Sequence, residues 1–307
     1  MKKFIIKFSI LAIVIIAISS VVLFGLKGNP DAYLLAWEKK VDMVKNPNRD
    51  NAVILIGDSN LAFGMNSPLL EDSLKMHVIN TSLHAGIGMK AMMDEFCKYS
   101  KAGDIVVLAP EYAQPYGAWD GQEALSQLFS LYPYISKDFN ASQWRKVLIN
   151  IPSGLSAKLK GAVHILLAKS GHPSIYRLSA FNTHGDVVAH WGQPKENYMH
   201  HKIQSEDKFS EAYFSYLTDK VKQMQDRGVK VIIVPPVIEK TSFEIQSKNV
   251  KRIEESYKKH NLYQECPSEI FAFADSLTYN TPYHFGKQGA DKRTLLLVPI
   301  IRKYINK

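Results

Sequence analysis

The stretch ILIGDSN, Ile54 to Asn60, runs an apolar segment straight into Gly57, Asp58 and Ser59. A serine at the carboxyl end of a buried parallel strand stands where open α/β sheets place their ligands, and there its hydroxyl can act as a nucleophile. The same position suits a plain helix or turn cap, so both readings stay open for Asp58 and Ser59. A hydroxyl nucleophile needs a base within hydrogen-bond reach. His284, in NTPYHFGKQG, is the candidate; so distant a residue meets Ser59 only if both sit above one sheet edge, and a satisfied loop histidine is its plainer reading.

Elements able to position these residues are legible in the hydrophobic pattern. Ala52 to Ile56, Val78 to Ile79, Ile105 to Ala109 and Val229 to Val234 are short apolar runs that read as buried strands. Helical stretches separate them, including Met89 to Ser100 and Asp207 to Arg227, where Phe209, Tyr213, Tyr216, Leu217, Val221 and Met224 share a face and Gly228 supplies a stop. Alternation of this kind implies right-handed crossovers and a parallel sheet covered on both sides. A final helix from Lys287 to Tyr304 is expected to turn Leu295, Leu296, Leu297 and Ile300 inward, with Pro299 as a kink or break.

Residues 114–205 are too long for an ordinary connection and read as an insertion. Rich in aromatics and histidines, from Tyr116 and Trp119 through Trp144, Tyr176 and His190 to His200 and His201, it is either a small helical subdomain with a satellite core or a substrate-facing lid.

The amino terminus is different. Lys2, Lys3 and Lys7 precede an apolar run from Phe8 to Leu26, about the length needed to cross a bilayer and longer than a typical cleaved signal core. Residues 1–28 are therefore expected to be a signal-anchor with its amino terminus in the cytoplasm and everything beyond Gly28 across the membrane. Residues 29–50 read as a stalk, with Tyr33, Leu34, Trp37 and Val41 at helical spacing, and residues 51–307 as the working domain.

Composition sets the outer bounds. With 46% hydrophobic and 22% charged residues among 307, the chain can build a sizeable core. Two cysteines, Cys97 and Cys266, exclude a disulfide-dense scaffold and a cysteine-rich zinc site, although one bridge stays open. A net charge of +9 suits an anionic partner, and an extracytoplasmic location turns that expectation from nucleic acid to an envelope surface. No phosphate-cradling loop is present, Gly86-Ile-Gly88 is too short for a dinucleotide fingerprint, and His184, Asp186 and His190 lack a spacing that forces them to converge on a metal, so neither cofactor nor metal is expected.

Together, GDSN at Gly57 to Asn60, NTSLHAGIG at Asn80 to Gly88, GDIVVLAPEY at Gly103 to Tyr112 and YHFGKQG at Tyr283 to Gly289 resemble the SGNH/GDSL hydrolase superfamily, in particular membrane-anchored members found with bacterial cell-surface polysaccharide systems. The resemblance implies a flavodoxin-like, three-layer α/β/α sandwich with a central parallel sheet. It also implies a serine esterase or O-acyltransferase acting on ester-linked acyl groups of an envelope polysaccharide. By similarity Ser59 is the nucleophile, His284 its base and Gly86 an oxyanion-hole donor beside the Ser59 N–H, with Asn80 and Asn280 on the oxyanion and substrate side. Two positions depart from the family. Where an aspartate normally orients the histidine, Asn280 and Thr281 stand here, and the nearest upstream acid is Asp275. Where the family carries an asparagine block, Glu111 follows Pro110. Glu111 is thus an ion-pair partner for Arg177 or Arg293, a protonated donor, or the group that orients His284. These departures motivate the alternative of a weakly catalytic module that binds glycan or assists a membrane acyltransferase.

Overall fold

The computed structural model describes residues 1–26, 28–166, 174–200 and 209–305, so that His201, Asp207 and the expected end of the insertion lie outside the described residues. In chain order the helices are α1 Lys2–Ser20, α2 Ala36–Lys45, α3 Ser59–Ala62, α4 Ser67–Leu74, α5 Met89–Phe96, α6 Glu123–Leu131, α7 Ala141–Ile149, α8 Ile151–Leu166, α9 Glu211–Gln225, α10 Lys240–Ile245, α11 Ser247–Lys259 and α12 Lys287–Ile305. The strands are β1 Ala52–Gly57, β2 His77–Asn80, β3 Ile105–Ala109, β4 Lys230–Ile233, β5 Ile238–Glu239 and β6 Ala272–Phe273.

The protein is α/β with a central parallel sheet in the order β2-β1-β3-β4, and β5 and β6 form a separate parallel pair. Alternation along β1 explains why the sheet is buried on both faces. Ala52, Ile54 and Ile56 join one apolar cluster with Trp37, Phe96, Leu125, Phe214 and Ile253, while Val53 and Leu55 join another with Leu70, Phe273 and Leu297. From β1 the chain winds outward to β2 and then back past β1 to β3. The carboxyl ends of β1 and β3 therefore flank the crevice where such sheets take ligands.

Three expectations need correction. The segment 29–50 is no stalk. Its helix forms at the expected place and stops at Asn46 before Pro47, but Trp37 is fully buried in the core. Arg49 then forks onto Asp104, with Nη1 to Oδ1 at 2.8 Å and Nη2 to Oδ2 at 2.6 Å, and the same carboxylate accepts from the Ala52 N–H at the start of β1. Among its described residues the insertion shows no separate core, since Leu125, Leu128, Val147, Ala180 and Val187 share the cluster on one face of β1. Its return is stitched to the sheet by the Asn80 N–H on the His184 carbonyl and the Val187 N–H on the Ala62 carbonyl. Finally, α12 continues through Pro299, and Leu295 faces outward, because successive residues sit about 100° apart and three consecutive leucines cannot share one face.

Lys2–Gly25 is one continuous helix, α1 plus a wider turn at Val21–Gly25, and is long and apolar enough to cross a membrane. Cys97 and Cys266 are both free thiols.

Candidate active site

Gly57 closes β1 because nothing larger fits: a Cβ there would stand 3.0 Å from the Ala109 carbonyl oxygen and 2.7 Å from Leu61. The chain turns at Asp58 into the single turn of α3, and the ends of β1 and β3 are then clasped reciprocally. Buried Asp58 accepts from the Glu111 N–H at 2.7 Å and from Gln114 Nε2 at 3.0 Å. Glu111 Oε1 in turn accepts from Ser59 Oγ at 2.9 Å and from the Asn60 N–H at 3.1 Å. Asn60 is held from behind by Arg293, whose Nη1 donates to its carbonyl at 2.7 Å and Nη2 to its Oδ1 at 2.9 Å.

Electrostatics follow from this burial. Glu111 is pushed up to about 7 by desolvation, against the opposing pull of its Ser59 and Asn60 donors and of the Arg293 charge. Asp58 is raised well above the usual carboxylate range, first by burial and then by Glu111, because two adjacent buried carboxylates disfavour double ionisation. Burial also lowers Arg293 to about 9.

His284 enters from the loop before α12, where a bridge between Thr278 and Phe285 folds the chain back. Its ring lies flat on Phe63, centroids 4.0 Å apart, and Phe63 is one turn beyond Ser59. His284 Nδ1 is 2.8 Å from Asn280 Oδ1, and Asn280 Nδ2 donates to the Tyr176 hydroxyl at 3.2 Å. With the amide assigned in this orientation, Oδ1 faces the imidazole, so Nδ1 carries the proton and Nε2 the lone pair. Nε2 has no hydrogen-bond partner among the described residues. Burial, with His190 and His84 nearby, holds the His284 pKa well below its ordinary value, so the ring is neutral at pH 7.

Two pairs of sequence candidates are thus brought together, Ser59 with Glu111 and His284 with Asn280. No hydrogen bond joins Ser59 to His284. The others sit elsewhere. Asp275 does not reach His284; its carboxylate accepts from the Thr241 N–H at 3.2 Å and Oγ1 at 2.5 Å. Asn80 is a buried brace, donating to the Leu61 carbonyl and to Asp186. The Gly86 amide donates to His84 Nδ1 at 3.0 Å and so is already engaged. Neither Arg177 nor Arg293 forms an ion pair with Glu111 among the described residues; Arg177 donates to the Ser174 carbonyl and Arg293 to Asn60.

Of the histidines and acids weighed as metal ligands, Asp186 is committed to Ser67 and Asn80, and His190 to the Phe285 carbonyl. His200, Glu239 and Asp275 do converge, but Glu239 already accepts from Tyr198 and Ser242 and pairs with His200. Phe63 and Tyr176 escaped the sequence reading as site residues. For Tyr176 the available signal was the aromatic density of the insertion, with nothing to single out that ring; Phe63 lies outside the insertion, one turn beyond Ser59, and carried no signal of its own. Tyr176 and Asn280 also border a cavity of about 600 Å³, lined further by Arg177, Glu196 and Tyr279, which opens beside the histidine's support.

In comparisons with known proteins, the chain matches no family model and has no match among curated proteins.

Proposed function

We propose that the chain is a membrane-anchored serine esterase or O-acyltransferase of SGNH type, with its folded domain on the extracytoplasmic side, acting on acyl esters of a bacterial envelope polysaccharide. The observation that carries this reading is Ser59 at the switch point of the sheet, its hydroxyl already donating at 2.9 Å to a carboxylate whose pKa is about 7. Hydrogen-bond reach and a pKa near the working pH are the two properties a general base needs.

Ser59 Oγ attacks the acyl carbonyl and passes its proton to Glu111 Oε1. Collapse of the tetrahedral species breaks the ester C–O bond, the sugar oxygen takes that same proton back from Glu111 as it departs, and acyl-serine remains. The Ser59 N–H, which no described residue engages, is available to the oxyanion. Neutral His284, with its lone pair on Nε2, serves as the base for the acceptor that releases the acyl group: water in an esterase, a sugar hydroxyl in a transferase. The cavity beside Asn280 and Tyr176 provides room for the glycan.

One observation favours a second reading, a glycan-binding module that does not turn over or that assists a membrane-bound acyltransferase: the Gly86 amide is occupied by His84. The test is fluorophosphonate labelling of the full chain in detergent, beside Ser59→Ala, Glu111→Gln and His284→Ala. Labelling of the parent that vanishes in Ser59→Ala supports the enzyme. A folded parent that does not label leaves the binding module, and an envelope-glycan array becomes its assay.

A further inference from the structure

The end of the membrane-length helix is packed onto the folded domain. Leu23 is buried, and it comes within 3.3 Å of the position a Cβ would take on Gly154 of α8. Phe24 meets Phe129 of α6 edge-on, centroids 5.7 Å apart. A helix of 24 residues is about 36 Å long, slightly more than a hydrocarbon core of about 30 Å, which places Leu23 and Phe24 near one boundary. Because α8 lies against that turn, it sits near the same height.

The outward side of α7 and α8 is unusually apolar for a surface. Trp144 and Leu148 are one turn apart on α7, Ile149 ends it, and Leu159 and Val163 are one turn apart on α8; all are exposed, Leu148 and Ile149 by 59% and 63%. Arg145, Lys158 and Lys160 are interspersed among them. Apolar side chains with a tryptophan and snorkelling cations are the composition of a helix lying in a membrane interface, and a poor one for water.

We propose that the α7–α8 face docks into the headgroup–acyl boundary of the same bilayer that α1 crosses, its cations favouring anionic lipid. This goes beyond acyl transfer and rests only on α1 crossing a bilayer. It also connects the docked face to the neighbourhood of the candidate site. Ser126 of α6 donates to the Val147 carbonyl of α7 at 3.2 Å, and Ala124 of α6 packs where a Cβ on Gly86 would be, 3.2 Å away. One helix thus links the docked face to the crevice, and acyl chemistry would take place on glycan close to the membrane.

The test places an environment-sensitive fluorophore at Leu159→Cys in the full chain carrying Cys97→Ser and Cys266→Ser, reconstituted into vesicles of phosphatidylcholine with phosphatidylglycerol, alongside single probes at Val14→Cys in α1 and at exposed Tyr263→Cys in the same background. Blue-shifted emission at position 159, quenched about two-fold or more by doxyl-labelled lipid while position 263 stays water-like, is the expected result. Quenching at position 14 but water-like emission at 159 overturns the docking and leaves the anchor standing. Absence of quenching at both positions removes the anchor and the docking with it. A blue shift at 159 that lipid does not quench means that a second copy of the chain covers the face, which also overturns the proposal.

Discussion

Asn280 Oδ1 lies 2.8 Å from His284 Nδ1, and Asn280 Nδ2 is held 3.2 Å from the Tyr176 hydroxyl, so that one amide bridges the imidazole and the phenol. An amide with this orientation selects the tautomer a base requires, but it offers no charge to an imidazolium. Asn280→Asp is therefore expected to raise the His284 pKa toward its ordinary value and to increase kcat on p-nitrophenyl acetate by about ten-fold. Tyr176→Phe releases the amide and lowers kcat instead. Unchanged kcat in both variants would take His284 out of the mechanism.

The Glu111 carboxyl must lose its proton before it can accept one from Ser59. Since burial places that ionisation at about 7, the rate of fluorophosphonate labelling should rise with pH through this region and level off above it. Neutral His284, already below its ordinary value, contributes no limb there. In Glu111→Gln the limb should disappear and the plateau fall by about 10²-fold or more. A limb that persists in this variant belongs to another group and removes Glu111 as the base.

The same carboxyl links stability to pH. Its folded pKa is raised, so the native state holds the proton more tightly than the unfolded chain does. The contribution is fully present below 4.5, declines above it and is lost once pH passes about 7. Parent Tm should consequently fall over that interval relative to Glu111→Gln, as differential scanning calorimetry across the pH series would record. Parallel curves for the two proteins would mean that Glu111 titrates near its ordinary value.

A chain begun at residue 51 should not fold, although one begun at residue 28 should. The first lacks α2 and the Arg49 fork, leaving Asp104 buried without its partner. Within the full chain, Trp37→Ala is expected to cost about 3–5 kcal/mol. Asp104→Asn, which strands the Arg49 guanidinium, is expected to cost a similar amount, about 3–5 kcal/mol. Urea denaturation of these variants measures both, and losses below about 1 kcal/mol would mean that the segment is the appendage its sequence resembles.

The parallel strands were legible because fully buried strands leave uninterrupted apolar runs, and β1 and β3 appear where Ala52 to Ile56 and Ile105 to Ala109 predict them. Membrane length in the first helix was legible for a similar reason, since a bilayer imposes a simple count. The 29–50 segment was misread because a helix of ten residues with several lysines looks like a surface element, and only packing reveals that Trp37 and Lys40 are enclosed. Ser59 and His284 were singled out from residue type and position, and Glu111 from the place where the resemblance expects an asparagine.

Their pairing was not. Composition and local pattern determined that an α/β domain with a parallel sheet follows a membrane-length helix, and which polar residues gather at the sheet's carboxyl edge. Whether Ser59 turns to Glu111, 52 positions away, or to His284, far later in the chain, is a question of a few ångströms between distant elements, and whether Asp275 or Asn280 supports the imidazole, or His84 takes the Gly86 amide, is set by how those elements fold the short loops between them. Local propensity acts over a turn or two of chain, whereas a hydrogen bond's partner is chosen by how separate elements pack, and so these contacts were decided by the tertiary structure alone.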